Sequence, residues 1–401
     1  MKSAVHIICL LIILLFWNCS NNVNKEKESS DKIITLNFSE LIANKRELNL
    51  SEIAENVEYI KLETTPQSLL EDIYKIHLTP NYILISDMTN LFQFSREGNF
   101  IRKIGSRGKG PKEYLYLTSF DVNLDKGTVF IYCSVSSKLL IYRLNGDFCT
   151  YYKMPGVTRM ISLKDSLFLA YQKVYTGAED YIYFLTTPEK DTINGVRNSF
   201  KWEFKGSTVY NIMDSHSPFY KYNHEVYCKE IYNDTIYKIN VTNLTFEPVY
   251  NINMGKYDMP DKKRLSYISN PAEFKKYWED YYKVFVKETH NYLWLSYSTY
   301  NYNNTMYYGL YNKNKGCLTK VKTENGKLGI KDNMGGCVNF WPLSICNNEL
   351  VDYIYPNNLK SYLLKYKDKK VKLPKKRRKL KLISDQSGES DNPIIRIVTL
   401  K

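Results

Sequence analysis

The sequence predicts an all-β fold, a six-bladed β-propeller with about four antiparallel strands per blade, and three observations carry that expectation. Alternation of apolar and polar residues with period two recurs from residue 57 to the C-terminus, broken by turn residues, while long helical periodicity is nearly absent. Residues 81–105 (NYILISDMTNLFQFSREGNFIRKIG) repeat as residues 127–155 (GTVFIYCSVSSKLLIYRLNGDFCTYYKMP), and Gly98-Asn99-Phe100 aligns with Gly146-Asp147-Phe148 at a period of 48. Weaker copies begin at Asp165, His224 and His290, and a last unit runs from Gly336 to the end, which makes six. One such sheet cannot bury both of its faces until neighbours stack around an axis, so this period points to a propeller. The 401 residues are 43% hydrophobic and 24% charged, which excludes wholesale disorder and a polytopic membrane protein.

In chain order, residues 1–18 read as a signal peptide: Lys2, an apolar run from Ile7 to Trp17, then Asn18 before Cys19. The run is short of the roughly 20 residues that a permanent membrane-spanning helix needs. Cys19 directly after it resembles a bacterial lipobox, in which the thiol is acylated and becomes the new N-terminus. Phe16, Trp17 and Asn18 depart from the usual Leu, small, small pattern, as looser boxes of Bacteroidota do. Residues 19–32 hold almost no apolar side chain and read as a lipidated flexible tether, with residues 33–401 as the propeller. Ser20 in place of Asp after the Cys fits sorting to the outer membrane, with the periplasmic and the surface-exposed side both open.

Within the propeller, VEYIKLET (57–64) alternates Val57, Tyr59 and Leu62 and is expected to close the last blade, which removes two exposed sheet edges at once. One short inserted helix is expected near 271–281. Asn270, Pro271 and Glu273 supply a cap, a first-turn proline and a capping-box carboxylate, and Phe274, Tyr277, Trp278 and Tyr281 form a stripe for packing. The stretch 297–311 mixes Tyr297, Tyr300 and Tyr302 with Asn amides, chemistry that can stack on sugar rings and equally can pack between blades. The abundance of Tyr, 36 copies, with Asn, Lys and Ile fits a genome of low G+C content.

The net charge of +14 is local. Eleven basic residues lie between Lys365 and Lys381 against the single acid Asp368, so the rest of the chain is only slightly basic, and no nucleic-acid partner is expected. The run 372–382 reads as a solvated loop or hairpin whose cations can meet lipid phosphates or anionic glycans. Six cysteines lie beyond Cys19 in no metal-binding spacing, and Cys133 and Cys149 are the disulfide candidates, with free thiols as the alternative. His77, His216, His224 and His290 fit no HExxH pattern, and there is no GxSxG elbow or DxDxDG loop. No metal, cofactor or catalytic residue is therefore expected.

GSRGKGPKEY (Gly105–Tyr114), preceded by FSREGNFIRKI, resembles the IG-x-x-G-x-GP-x-EY signature of the six-bladed β-propeller lipoproteins of Bacteroidota, which are related in fold to NHL-repeat proteins. YNDTIYKI (232–239), TFEPVYNINMGK after it and the terminal DNPIIRIVTLK extend the resemblance over nearly all of the chain beyond the tether. Lys112 departs from it, since members often carry Gly there. The resemblance implies a fold and an envelope compartment and little chemistry, because members have mostly unknown functions. In the motif, Gly105, Gly108 and Gly110 can take positive φ, Pro111 stiffens the exit, Glu113 can hold loop amides, and Tyr114 completes the signature. The alternative is an anion cradle with Arg107 and Lys109 as its cations. The chain is thus expected to be a monomeric, non-catalytic binding or scaffold lipoprotein that presents its surface to a glycan, a peptide or an envelope protein. A propeller hydrolase or lyase acting on a glycan or peptide is the alternative.

Overall fold

The structure, a computed structural model, describes residues 33–164, 166–174, 177–201, 217–264, 270–301, 305–322 and 329–401. The compact unit is Thr35–Lys401; of the preceding unit, Met1–Ile34, only the last two residues are described. Cys19 and both N-terminal segments therefore lie outside the described residues. No helix among those described is long and apolar enough to cross a membrane.

Six antiparallel sheets follow one another along the chain as six blades. Blade 1 holds Lys75–Leu78, Tyr82–Ser86, Leu91–Ser95 and Phe100–Lys103, and blade 2 holds Ser119–Asn123, Thr128–Cys133, Lys138–Arg143 and Phe148–Lys153. Blades 3, 4 and 5 begin with Arg159–Lys164, Phe219–Tyr222 and Tyr282–Glu288. Blade 6 pairs Ser344–Cys346 with Glu349–Ile354, then Ile394–Leu400, then the N-terminal strand Ala54–Lys61. The expected closure by residues 57–64 is thus present, with Val57 opposite Val398 and Tyr59 opposite Arg396. The turn glycines of the 48-residue repeat, Gly98 and Gly146, are both left-handed, at φ +98° and +92°.

Each apolar cluster between blades is shared by two consecutive blades. Ile76, Phe92 and Phe94 of blade 1 meet Ile395 and Ile397 of blade 6, and Leu84 and Leu91 meet Val129 and Leu140 of blade 2. Similar clusters join blades 2 to 3, 3 to 4, 4 to 5 and 5 to 6. A blade removed from this ring would expose two apolar faces at about 25 cal/mol per Å2, which is why the ring closes. The first strands of blades 2 and 3, of 4 and 5, and of 6 and 1 touch, so these strands gather around the axis and border the central channel.

The helices depart from expectation. α1 (Phe38–Ala43) and α2 (Leu50–Ile53) precede the closing strand. The helix expected near 271–281 is the single turn α3 (Pro271–Phe274). The Trp278 carbonyl accepts from the Tyr300 amide (2.9 Å) instead of a helical partner, because Tyr282 already pairs with Thr299 in blade 5. The stripe nonetheless packs, with Phe274, Tyr277, Trp278 and Tyr281 against Met259 and Tyr300. Two further helices, α4 (Pro356–Lys365) and α5 (Pro374–Asp385), are inserted between the second and third strands of blade 6. α5 replaces the expected loop or hairpin at the basic run: Pro374 starts it, and Arg377, Leu380, Ile383 and Ser384 form its buried side. Cys133 and Cys149 are both free thiols, since the strand Lys138–Arg143 lies between theirs.

Candidate functional site

Polar side chains on the first strands of several blades converge at the channel. Lys75 and His77 alternate with buried Ile76 and Leu78 on blade 1, Asp121 lies on blade 2, Arg159 on blade 3 and Lys221 on blade 4. Lys221 Nζ donates to Asp121 Oδ2 at 2.6 Å, a bond between blades that have another blade between them. The same oxygen accepts the Ser162 amide at 3.1 Å. Lys75 Nζ donates to the Phe120 carbonyl at 2.8 Å and sits over the Phe120 ring. The Arg159 guanidinium lies 5.5 Å from the Tyr74 ring.

The charges of this cluster act strongly on one another. Asp121 is only 3% exposed; burial opposes its charge, but Lys221 and Lys75 outweigh that and hold its carboxyl below the usual range. Burial lowers the Lys75 amine; Asp121 partly restores it, and Lys221 and Arg159 lower it again. Burial, helped by Lys75, pushes His77 down to about 4, so its imidazole is neutral at pH 7. On blade 5, Lys287 donates to the Pro342 carbonyl at 3.1 Å, and burial pushes its amine down to about 8. Among the described residues, Lys75 and Lys221, with Arg159 beside them, thus gather around the Asp121 carboxylate, with which Lys221 pairs. Such a constellation can hold an anion. It offers no acid–base pair, because the carboxylate is committed and the imidazole is a weak base.

The residues expected from the sequence lie elsewhere. The motif Gly105–Tyr114 carries the chain from blade 1 to blade 2. Gly105 takes φ +71°, but Gly108 and Gly110 do not take positive φ, which corrects the expectation for those two. Gly108 is favoured by proximity: a Cβ there would stand 2.0 Å from Glu113 Oε2 and push that carboxylate aside. The Glu113 carboxylate accepts the Gly110 amide at 2.8 Å, and Lys138 Nζ donates to the Gly110 carbonyl at 2.6 Å and the Lys109 carbonyl at 3.3 Å. Tyr114 is fully buried and donates to the Ile104 carbonyl. Pro111 is exposed at the turn. Arg107 and Lys109 are exposed, with Arg107 over the Tyr116 ring.

Tyr297 is fully buried with Phe38, Tyr282 and Tyr307 around its ring, and Tyr300 is buried against Tyr232 and Phe274. Tyr302 lies outside the described residues. A groove of about 450 Å3 on blade 6 gathers other tyrosines, Tyr353, Tyr355, Tyr362 and Tyr366. Its hydroxyls are partly engaged, Tyr355 donating to Asp72 and Tyr362 accepting from Lys369, so the channel cluster is the stronger site. Among the described residues, no group of three or more His, Cys, Asp or Glu gathers as metal ligands would. A polar residue on the inward strand of each repeat was the only signal for the channel cluster in the sequence.

The family described as a domain of unknown function (DUF4934) matches residues 33–399, and the chain belongs to it. Among solved structures, a Bacteroides fragilis protein described as exported is similar at TM-score 0.71 and 22% identity, over 92% of this chain and 99% of that one. A member of the DUF4221 family from Bacteroides vulgatus is similar at TM-score 0.50 and 11% identity, over 89% of this chain and 98% of that one. Likeness at this identity establishes a shared fold. No curated protein matches the sequence.

Proposed function

We propose that this member of the DUF4934 family is a non-catalytic binding lipoprotein of the bacterial cell envelope, whose channel takes an acidic group of a glycan, a peptide or an envelope protein. One observation carries the reading: among the described residues, Lys75 and Lys221, with Arg159 beside them, gather at the channel around the Asp121 carboxylate, with which Lys221 already pairs. In a confined channel of low dielectric, clustered cations favour an anion more strongly than they would at an open surface. The proposed address rests on the signal-like residues 1–18 with Cys19 as acylation site and outer-membrane anchor, and on the Bacteroides fragilis relative described as exported.

The test is calorimetric titration with an acidic oligosaccharide, its neutral counterpart, and acidic and neutral peptides. The acidic ligands are expected to bind with an affinity that falls as salt rises. Lys75→Gln and Arg159→Gln are each expected to weaken binding at least about tenfold, as loss of a partly buried charge contact does. Equal binding of neutral and acidic ligands, or indifference to both substitutions, would refute the channel assignment. Turnover of either ligand that is lost in His77→Gln would instead establish the hydrolase or lyase alternative.

A further inference from the structure

The eleven basic residues between Lys365 and Lys381 divide into two sets. Lys369, Lys376 and Arg377 turn inward: Lys369 donates to the Asp332 carbonyl at 2.9 Å, Lys376 pairs with Glu58 at 3.5 Å, and Arg377 donates to the Gly336 and Tyr366 carbonyls. These fasten α4 and α5 to blade 6. The others are exposed, and the side chains of Lys367, Lys370, Lys372, Lys375, Arg378, Lys379 and Lys381 make no hydrogen bond or ion pair among the described residues. On α5, Lys375, Arg378, Lys379 and Leu382 share one face at i, i+3, i+4 and i+7, opposite the buried face of Leu380 and Ile383. Leu382 is 59% exposed in the middle of this cationic face, and Leu364 on the adjoining α4 is 77% exposed, the most of any large apolar side chain described.

We infer that this face of the α4–α5 insertion docks the propeller onto an anionic phospholipid surface, with the cations at the headgroups and the two leucines at the headgroup–acyl boundary. Charge complementarity supplies the attraction, about fivefold in partition for each Lys or Arg brought to such a surface. The leucines select lipid over a soluble polyanion, because only a bilayer rewards burial of a protruding apolar side chain. The contact is separate from acylation at Cys19 and from the channel.

The experiment uses the chain from residue 33 onward, since the unit Thr35–Lys401 contains all six blades and the closing strand. Co-sedimentation is measured with vesicles of equal parts phosphatidylglycerol and phosphatidylethanolamine, and with phosphatidylcholine alone. Binding to the anionic vesicles, little to the neutral ones, and loss with added salt are expected. The variant with Lys375, Arg378, Lys379 and Lys381 all changed to Gln is expected to lose about two to three orders of magnitude in partition at an unchanged melting temperature. Leu364→Ser with Leu382→Ser is expected to lose several-fold while keeping the same salt dependence. Equal binding to both vesicle types, or binding indifferent to the four charges, overturns the inference. So does a duplex DNA oligonucleotide bound as tightly as the anionic vesicles and unaffected by the leucine substitutions, which would assign the face to a soluble polyanion.

Discussion

Replacing His77 by Gln tests the electrostatics of the channel directly. The folded protein holds the imidazole at about 4 against 6.5 for the free side chain, so the unfolded chain binds the proton more readily between those values. Stability contributed by the neutral ring is therefore complete above about pH 6.5 and is lost as pH falls toward 4. At 1.36 kcal/mol per unit, the difference amounts to at most about 3 kcal/mol, and solvent reaching a half-buried ring lowers it toward about 2. Gln keeps a polar side chain of similar size and does not titrate. Urea unfolding of the parent and of His77→Gln is measured at several pH values across this window. The parent is expected to lose about 2 to 3 kcal/mol more than the variant. Carboxylates that titrate in the same range are common to both proteins and cancel in the difference. An anion held by Lys75 and Arg159 would raise the imidazole pKa, so added sulfate should shrink the parent's loss and leave the variant's unchanged. Parallel pH dependences in the two proteins, or a His77 ring that titrates by NMR near 6.5, would refute the reasoning.

In the Gly-rich motif, Gly105→Ala places a Cβ at φ +71° within 3 Å of the Tyr142 and Tyr114 rings and is expected to cost about 2 to 4 kcal/mol in thermal melts. Gly108→Ala displaces the Glu113 carboxylate from the Gly110 amide and is expected to cost about 1 to 2 kcal/mol, whereas Arg107→Ala should stay within about 0.5 kcal/mol. A larger loss from Arg107→Ala than from either glycine would reverse the structural reading of the motif. Cys19→Ser is expected to release the protein from membranes or leave an unprocessed precursor, read by fractionation and intact mass; a processed variant that still pellets with membranes counts against acylation there.

The blades were legible because their signal is local. The alternation in NYILIS and LFQFS, the paired turn glycines Gly98 and Gly146 and the spacing between them are each written within a few residues, and hairpins of this kind have few alternatives. The helices were less legible, since α5 buries only Leu380 and Ile383 among its large apolar residues and its cationic face masks the period. The channel cluster left only a weak trace, a polar residue on each inward strand. Lys221 and Asp121 are 100 positions apart, and each sits on a strand where an alternating polar residue is ordinary. Only ring closure brings them together, so no spacing rule links them.

Closure itself is specified by polar chemistry as well as by area. Arg396 is fully buried on the strand Ile394–Leu400, opposite Asp352 on one side and Tyr59 of the closing strand on the other. Its guanidinium donates to both Asp352 oxygens and to the Val338 and Asn339 carbonyls, and reaches Asp332, which also accepts the Tyr59 hydroxyl at 2.7 Å. Asp332 in turn collects the amides of Met334, Gly335, Gly336 and Cys337. A pair buried this deeply adds little net stability over an apolar replacement, but its geometry admits one arrangement. A slip of the closing strand by one residue would turn Tyr59 away from Asp332 and leave buried charge unsatisfied, a cost that apolar contacts between Val57, Ile60 and their neighbours do not impose as sharply. The register of blade 6 fixes how its first strand meets that of blade 1, and therefore where Lys75 and His77 stand relative to Asp121 and Lys221. A network at the ring seam thus sets the geometry of charges at the axis.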